Sequence, residues 1–452
     1  MVDLRSFDHY IDSCISLAHH SLSGYASLAQ IEACEAEINR YPRLDRLGPP
    51  RHLVVLEDGD AQALRVERAR EALARGRVLL EHTAAGEGTR LMLGPKYLLN
   101  LGRNLSLAAL AHDLSQEYGR EVTPAALARE LDVLPQELLP ISLGNRHMLQ
   151  LAFDLANLVR GLGADPREVL PRQHILVIVS EELAARIERE FRQWHFFGFD
   201  RRRVFFMVQQ SFHGLSYRAG RFMYDQAAPR RLHNHGQMVM QETMDRQLFT
   251  WTGPRAEDRR YLSRQEAADW LAGFDDKISY NIEDLDYLTG SLDLPALGLA
   301  LELGEQGYHM VMEVVANNPE SPQKGGMLAW DAELGREVMI ESFQLGGLPK
   351  REIQFLNRNF NHYPQPLQSW RRVGEAGLPM PVAVKEGFLY FQPVQGDINF
   401  LVNTAFFRRQ ELKPIRNLKN QKNLPLAINC LAAQDRQPGF SEFARRLWEG
   451  HP

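Results

Sequence analysis

The stretch Arg77-Val78-Leu79-Leu80-Glu81-His82-Thr83-Ala84-Ala85-Gly86-Glu87-Gly88-Thr89-Arg90, continuing to Gly94-Pro95-Lys96, decides how the chain is read. Its first half is a short apolar run that ends in a glycine-bearing loop, the pattern of a buried strand. Its second half carries glycines followed by cations. Glycine lets backbone N–H groups approach phosphate oxygens closely, and Arg and Lys offset their charge. Two familiar phosphate loops are excluded. A Walker A loop needs Gly-Lys-Ser/Thr, but Gly94 is followed by Pro95. A dinucleotide fingerprint would need a glycine where Leu91 stands.

Outward from this loop, helical spacing recurs from Leu98 to Leu131, with a break near Pro124, and from Met148 to Leu162. His174 to Ser180 is a second buried strand, Glu181 to Trp194 an amphipathic helix, and Val204 to Val208 a third strand. Further strands are expected over Tyr308–Val315, Met327–Trp330 and Glu337–Ile340. Alternation of this kind argues for an α/β fold with a mostly parallel sheet flanked by helices. Residues 1–76 have helical spacing around Ile11, Ile15 and Leu17 and from Leu64 to Leu73, and are assigned to an N-terminal helical extension. Residues 77–378 are assigned to the main domain, which carries the glycine loop. Residues 379–452, with Phe388-Leu389-Tyr390-Phe391 and a basic, Asn-rich stretch, form a small C-terminal subdomain.

A net charge of -5 with no basic stripe argues against a nucleic-acid partner. Cys14, Cys34 and Cys430 are too scattered for a zinc site or a disulfide scaffold. The first residues lack the apolar core of a secretory signal, and charge interrupts every long apolar stretch before a membrane span. The expected setting is cytoplasmic, with no membrane partner. Oligomeric state is not legible. His233 and His235 form a His-x-His without a neighbouring His/Cys cluster, so zinc is not expected there.

Gly86-x-Gly88-Thr89-Arg90 with the following Pro95-Lys96 resembles the signature of the nucleotide-sugar pyrophosphorylases. From about Val78 to Arg416 the landmarks fall in the order of the UTP–glucose-1-phosphate uridylyltransferases and their UDP-sugar pyrophosphorylase relatives. Phe196-Phe197-Gly198-Phe199, then Val204-Phe205-Phe206 and Gln209-Gln210, are similar to their uracil-reading strand. Asn234-His235-Gly236-Gln237 resembles their Gly-His-Gly-Asp turn, and Asn281-Ile282-Glu283-Asp284-Leu285 their Asn-x-Asp-Asn-Leu motif. Met312-Glu313-Val314, Lys324-Gly325-Gly326, Ile340-Glu341-Ser342-Phe343-Gln344, Asn357-Arg358-Asn359 and Leu412-Lys413-Pro414-Ile415-Arg416 follow in order.

The resemblance implies a Rossmann-like, GT-A-type mixed sheet and a UTP–sugar-1-phosphate uridylyltransferase. UTP and a hexose 1-phosphate, glucose 1-phosphate by likeness of the Lys-Gly-Gly and Met-Glu-Val elements, would give a UDP-sugar and pyrophosphate. It assigns the nucleotide to Ala85, Gly86, Gly88, Thr89, Gln209 or Gln210, His235 and Gly236. It assigns the sugar to Gly326, Glu341 and Asn359, and the reacting phosphates to Arg90, Lys96 and Arg416. One Mg²⁺ is implied on Glu283 and Asp284, or on Asp284 alone with Glu283 facing away. The chain departs from the pattern in three ways. Arg90 to Pro95 is one residue short, Glu283-Asp284 replaces Asp-Asn, and Arg416 replaces a phosphate-binding lysine, with Lys413 and Lys419 nearby. These departures keep open a non-catalytic UDP-sugar-binding protein of the same fold. Asn357, Asn359 and Asn361 can also be read as loop residues that satisfy backbone groups.

Overall fold

Val78–Thr83 is strand β3, near the middle of a large sheet, because nearly every one of its side chains is buried. The structure, a computed structural model, describes residues 2–57, 60–86, 88, 91, 93–320, 322–410 and 416–451, leaving out the side chains of 60, 61, 359 and 360. From edge to edge the sheet runs β2 (Leu53–Leu56), β17 (Thr404–Arg409), β11 (Met310–Ala316), β14 (Phe355–Pro364), β10 (Asp276–Asn281), β3, β4 (His174–Ser180), β5 (Val204–Gln209), β8 (Leu248–Trp251) and β9 (Arg259–Tyr261). A branch adds β12 (Met327–Asp331), which pairs with β13 (Arg336–Ile340), β14 and the short β1 (Leu47–Gly48). Strands β10, β3, β4 and β5 are parallel neighbours, and β2, β17 and β11 form a second parallel set. Strand β14 lies antiparallel between the two sets.

Side-chain alternation divides the core into two layers. Val78, Leu80, Ile175, Val177 and Phe206 face one layer, which includes the helix Leu143–Gly161. Leu79, Leu176, Ile178, Phe205 and Met207 face the other, where the helix Phe7–Leu22 contributes Tyr10, Cys14, Ala18 and Leu22. Both faces are covered, so these strands read as continuous apolar runs. A smaller sheet of β15 (Val382–Lys385), β16 (Phe388–Phe391), β6 (Leu215–Arg218) and β7 (Arg221–Tyr224) lies beside the second layer.

The structure differs from the expected division of the chain. Residues 1–76 are not wholly helical, since β2 enters the main sheet beside β17. Residues 379–452 do not stand apart: β15 and β16 join β6 and β7, and β17 is a main-sheet strand. The helix Leu424–Asp435 is fastened to the helix Leu143–Gly161 by buried Arg146, whose guanidinium donates to Asp435 at 2.6 and 3.0 Å. Local periodicity sees elements but not which distant strands pair, so a sheet assembled from both ends of the chain looks like appendages. Among the described residues no helix is long and apolar enough to cross a membrane.

Strand β3 also carries polar groups inward. His82 stacks on Tyr280 at 4.8 Å, and burial, reinforced by nearby His147, pushes its pKa down to about 3. A histidine whose folded pKa lies below its unfolded value contributes its stability fully above the unfolded pKa, near 6.5, and loses it as pH falls toward the folded one. His82→Phe keeps the ring stack and removes that titration. The native chain is therefore expected to lose about 2 kcal/mol more than the variant between pH 6.5 and pH 5. Urea titrations at the two pH values check this, and parallel losses would exonerate His82.

Candidate active site

The carboxyl ends of parallel strands, where the winding of the sheet reverses, leave a crevice for ligands. Here the chain winds from β3 through β4 to β5 and returns on the other side of β3 as β10. A cleft of about 450 Å³ opens at that point, lined by Ala85 and Gly86 after β3, Gln209 of β5, Asn281 at the end of β10 and Glu283 just beyond it. Glu341 after β13, and Asn357 and Asn361 of β14, close its far end.

At the centre, Lys96 Nζ stands 2.5 Å from Glu283 Oε2, and Lys419 Nζ is 3.4 Å from Glu283 Oε1. Burial alone would raise the Glu283 pKa, but Lys96 and Lys419 outweigh it and hold the carboxyl below its ordinary value. Two cations around one carboxylate leave a net positive centre. Gly88, at φ 64°, lets the glycine loop fold back on itself: a Cβ there would lie 2.9 Å from Gly94 O and 3.1 Å from Lys96 Cγ. Gly86 is different. Among the described residues a Cβ on it would meet nothing within 4 Å, so none of them requires glycine there, and Gly86 lines the open cleft.

At one end, the helix Asn234–Glu242 is stitched to β5 by glutamines. Gln237 Nε2 donates to Gln210 O at 2.7 Å, and Gln241 Nε2 to Val208 O at 2.7 Å. Gln209 Nε2 donates to Asn234 O at 3.0 Å and to Gln237 Oε1 at 3.1 Å. Those bonds commit its amide nitrogen and leave its carbonyl oxygen, an acceptor, for the cleft. Gln210 does not line the cleft; its backbone N–H donates to Gln241 at 3.2 Å. Successive strand residues face opposite ways, which separates the two glutamines.

Asn234-His235-Gly236 begins a helix and is not an isolated turn. His235 lines the cleft, and its Nδ1 accepts from the Gln395 N–H at 3.0 Å. Gly236 does not line it: its N–H donates to Pro393 O at 2.9 Å, and a Cβ would come within 2.3 Å of Pro393 C, so this glycine serves helix packing. His233 points to the core, stacked on Phe212 at 4.6 Å with Nδ1 3.1 Å from the Tyr10 hydroxyl, so the two histidines share no metal position.

Arg416 and Asp284 lie elsewhere. Residues 416–418 run antiparallel to 283–285, with Leu285 N donating to Arg416 O at 3.0 Å and Leu418 N to Glu283 O at 2.8 Å. Alternation along both segments turns Glu283 and Lys419 to the cleft, and Asp284 and Arg416 to a separate crevice of about 320 Å³. Arg416 Nε there donates to Asp286 Oδ1 at 2.5 Å, and burial followed by Asp286 pushes the Asp284 carboxyl up to about 7. The crevice also holds Arg358, which bridges Glu313 at 2.6 Å and Asp286 at 3.1 Å. The paired-carboxylate reading of Glu283 and Asp284 is thereby corrected to one carboxylate at the cleft.

Gly326 sits behind Asn357, accepting its N–H at 3.1 Å, and does not line the cleft. Asn357 and Asn361 belong to strand β14, not to a loop, and both reach the cleft. Thr89, Arg90 and Lys413, and the Asn359 side chain, lie outside the described residues. Sequence reading passed over Ser279, Gln395 and Gly396 and gave Asn281 no role beyond its place in a motif, and all four line the cleft. The four-residue spacing of Gln237 and Gln241 was the one available signal for the glutamine ladder.

No family model matches the chain, and no curated protein matches it by sequence. Solved structures do. A UDP-N-acetylglucosamine pyrophosphorylase from Trypanosoma brucei, in complex with an inhibitor, is 16% identical; the match covers 93% of this chain and 84% of that one, with a TM-score of 0.58. A putative UDP-N-acetylglucosamine pyrophosphorylase from Entamoeba histolytica is 14% identical, over 83% and 84%, at 0.52. A UDP-glucose pyrophosphorylase from Leishmania major is 14% identical, over 90% and 76%, at 0.51. At such identities the likeness is one of architecture: over most of its length the chain has the fold of the UDP-sugar pyrophosphorylases.

Proposed function

We propose that the protein is a uridylyltransferase that joins UTP and a hexose 1-phosphate into a UDP-sugar, releasing pyrophosphate. One observation carries the reading: the cleft crosses the sheet in the order acceptor, cations, hydroxyl readers. The Gln209 carbonyl matches the N3–H donor of uracil, whereas cytosine offers an acceptor at that position. Lys96 and Lys419 suit phosphates, and Glu341, Asn357 and Asn361 suit sugar hydroxyls. An oxygen of the sugar 1-phosphate attacks the α-phosphorus in line, and pyrophosphate leaves. The protein supplies position and charge, without a covalent intermediate. The elements that favoured glucose stand away from the cleft, Glu313 in the arginine crevice and Gly326 behind Asn357, so glucose 1-phosphate is only the first hexose to test.

Among the described residues no three His, Cys, Asp or Glu side chains are arranged to hold a metal ion by themselves. Glu283, kept ionised by its lysines, fits the habit of Mg²⁺ of taking one carboxylate plus phosphate oxygens and water. When bound, Mg²⁺ would neutralise phosphate charge.

Pyrophosphate release from UTP, Mg²⁺ and a panel of hexose 1-phosphates tests the proposal. UTP is expected to exceed CTP in kcat/KM by on the order of 100-fold, and Gln209→Leu to shrink that ratio. UDP-sugar binding without turnover would leave only a binding protein, and equal use of CTP would remove Gln209 as the base reader.

A further inference from the structure

Resting on the reading above, we propose that the sugar end selects uncharged hexose 1-phosphates and rejects those of hexuronic acids, because two carboxyl groups, Glu341 and buried Asp397, stand one behind the other there. Glu341 lines the cleft. Gly396, also in the lining, abuts it: a Cβ on this glycine would lie 3.0 Å from Glu341 Oε1 and touch nothing else within 4 Å. The next residue, Asp397, is 0% exposed, and neither of its carboxyl oxygens has a hydrogen-bond partner among the described residues. It has little freedom to find one. Asn399 Nδ2 donates to Gly396 O at 2.7 Å and Met339 O at 3.0 Å, while its Oδ1 accepts from Met339 N at 3.1 Å, so the 3₁₀ turn Gln395–Phe400 is clamped against β13.

Burial first, and the neighbouring Glu341 second, push the Asp397 carboxyl well above its usual range. Burial raises Glu341 as well, opposed by Lys419 and by the backbone N–H of Ser342. That lysine is already shared with Glu283 at 3.4 Å and faces the phosphates. The pair therefore favours a single negative charge, on the member that lines the cleft. An ionised carboxylate there is an acceptor and takes hydrogen bonds from sugar hydroxyls. The C6 carboxylate of a hexuronate is an acceptor too. It would enter with like charge beside it, while Lys419, the cation that acts on Glu341, is already engaged by Glu283, and a desolvated anion pays heavily for that.

The test compares kcat/KM for glucose 1-phosphate and glucuronic acid 1-phosphate, with UTP and Mg²⁺, in the native protein, Asp397→Asn and Glu341→Gln. Native protein is expected to prefer glucose 1-phosphate by about 100-fold or more. Glu341→Gln should narrow the preference about tenfold while lowering turnover of both sugars; Asp397→Asn, which replaces a carboxyl that already carries no charge, should keep the native ratio. A native preference below about fivefold overturns the inference while leaving the uridylyltransferase reading intact. So does a folded Glu341→Gln with the native ratio. Should that variant fail to fold, the native ratio decides, and a ratio narrowed by Asp397→Asn would put the charge on Asp397 and overturn the inference. Absence of turnover with every hexose 1-phosphate overturns both readings.

Discussion

Lys96→Ala is expected to lower kcat for pyrophosphate release by about 10³-fold while leaving the protein folded, the scale seen when one preorganised stabiliser of transition-state charge is removed. Lys96 and Lys419 flank Glu283 from opposite sides, so the substitution removes one of the two described cations that would meet the phosphates. It also leaves Glu283 with a single partner, turning part of a positive centre into a repulsive one. The pair is half-hidden, with 12% and 17% side-chain exposure, so the stability lost should stay within about 1–2 kcal/mol. Lys96→Arg restores charge but not shape and should recover only part of the rate. A folded Lys96→Ala that keeps more than a tenth of native turnover would take Lys96 out of the mechanism.

The largest stability effect is expected from Lys277→Met. Lys277 Nζ on β10 donates to Glu81 Oε2 of β3 at 2.9 Å and to Glu242 Oε2 of the helix Asn234–Glu242 at 3.1 Å, with all three side chains no more than 7% exposed. Burial opposes the lysine charge, yet Glu242 and Glu81 outweigh it and raise the Lys277 pKa. Removing the ammonium strands two carboxyls in the core, and breaking a buried ion pair from one side costs about 3–5 kcal/mol. Replacing all three, as Lys277→Met with Glu81→Leu and Glu242→Gln, should recover most of that loss. Urea denaturation measures both. A single variant that loses less than about 1 kcal/mol would show that the cluster is not held by charge.

That cluster also explains what was legible in the sequence and what was not. Strands β3, β4 and β5 are readable because their residues are apolar on both faces. Strand β10 is Asp-Lys-Ile-Ser-Tyr-Asn and β14 is rich in asparagine, so neither has an apolar signature. Their polar side chains are paired inside the protein, as with His362 and Asp276 at 2.5 Å, or turned to the cleft, as with Asn357 and Asn361. The order of motifs brought Lys96, Glu283, Gln209, His235 and Glu341 to one reading, and all five line one cleft. Motif order does not say which way a side chain points. Gln209 and Gln210, Glu283 and Asp284, and Arg416 and Lys419 each resemble interchangeable neighbours until strand alternation sends them to opposite sides.

Strand β2 pairs with β17, and β17 is more than 340 residues further along the chain. During synthesis β2 therefore waits, unpaired, until the strands between it and β17 have left the ribosome. The parallel strands β3, β4 and β5 can associate long before that. Maturation is thus expected in two stages, an early nucleus around the glycine loop and a late closure when β17 returns to β2. A nascent chain stalled before residue 404 would resist protease over the former and be cut near residue 53.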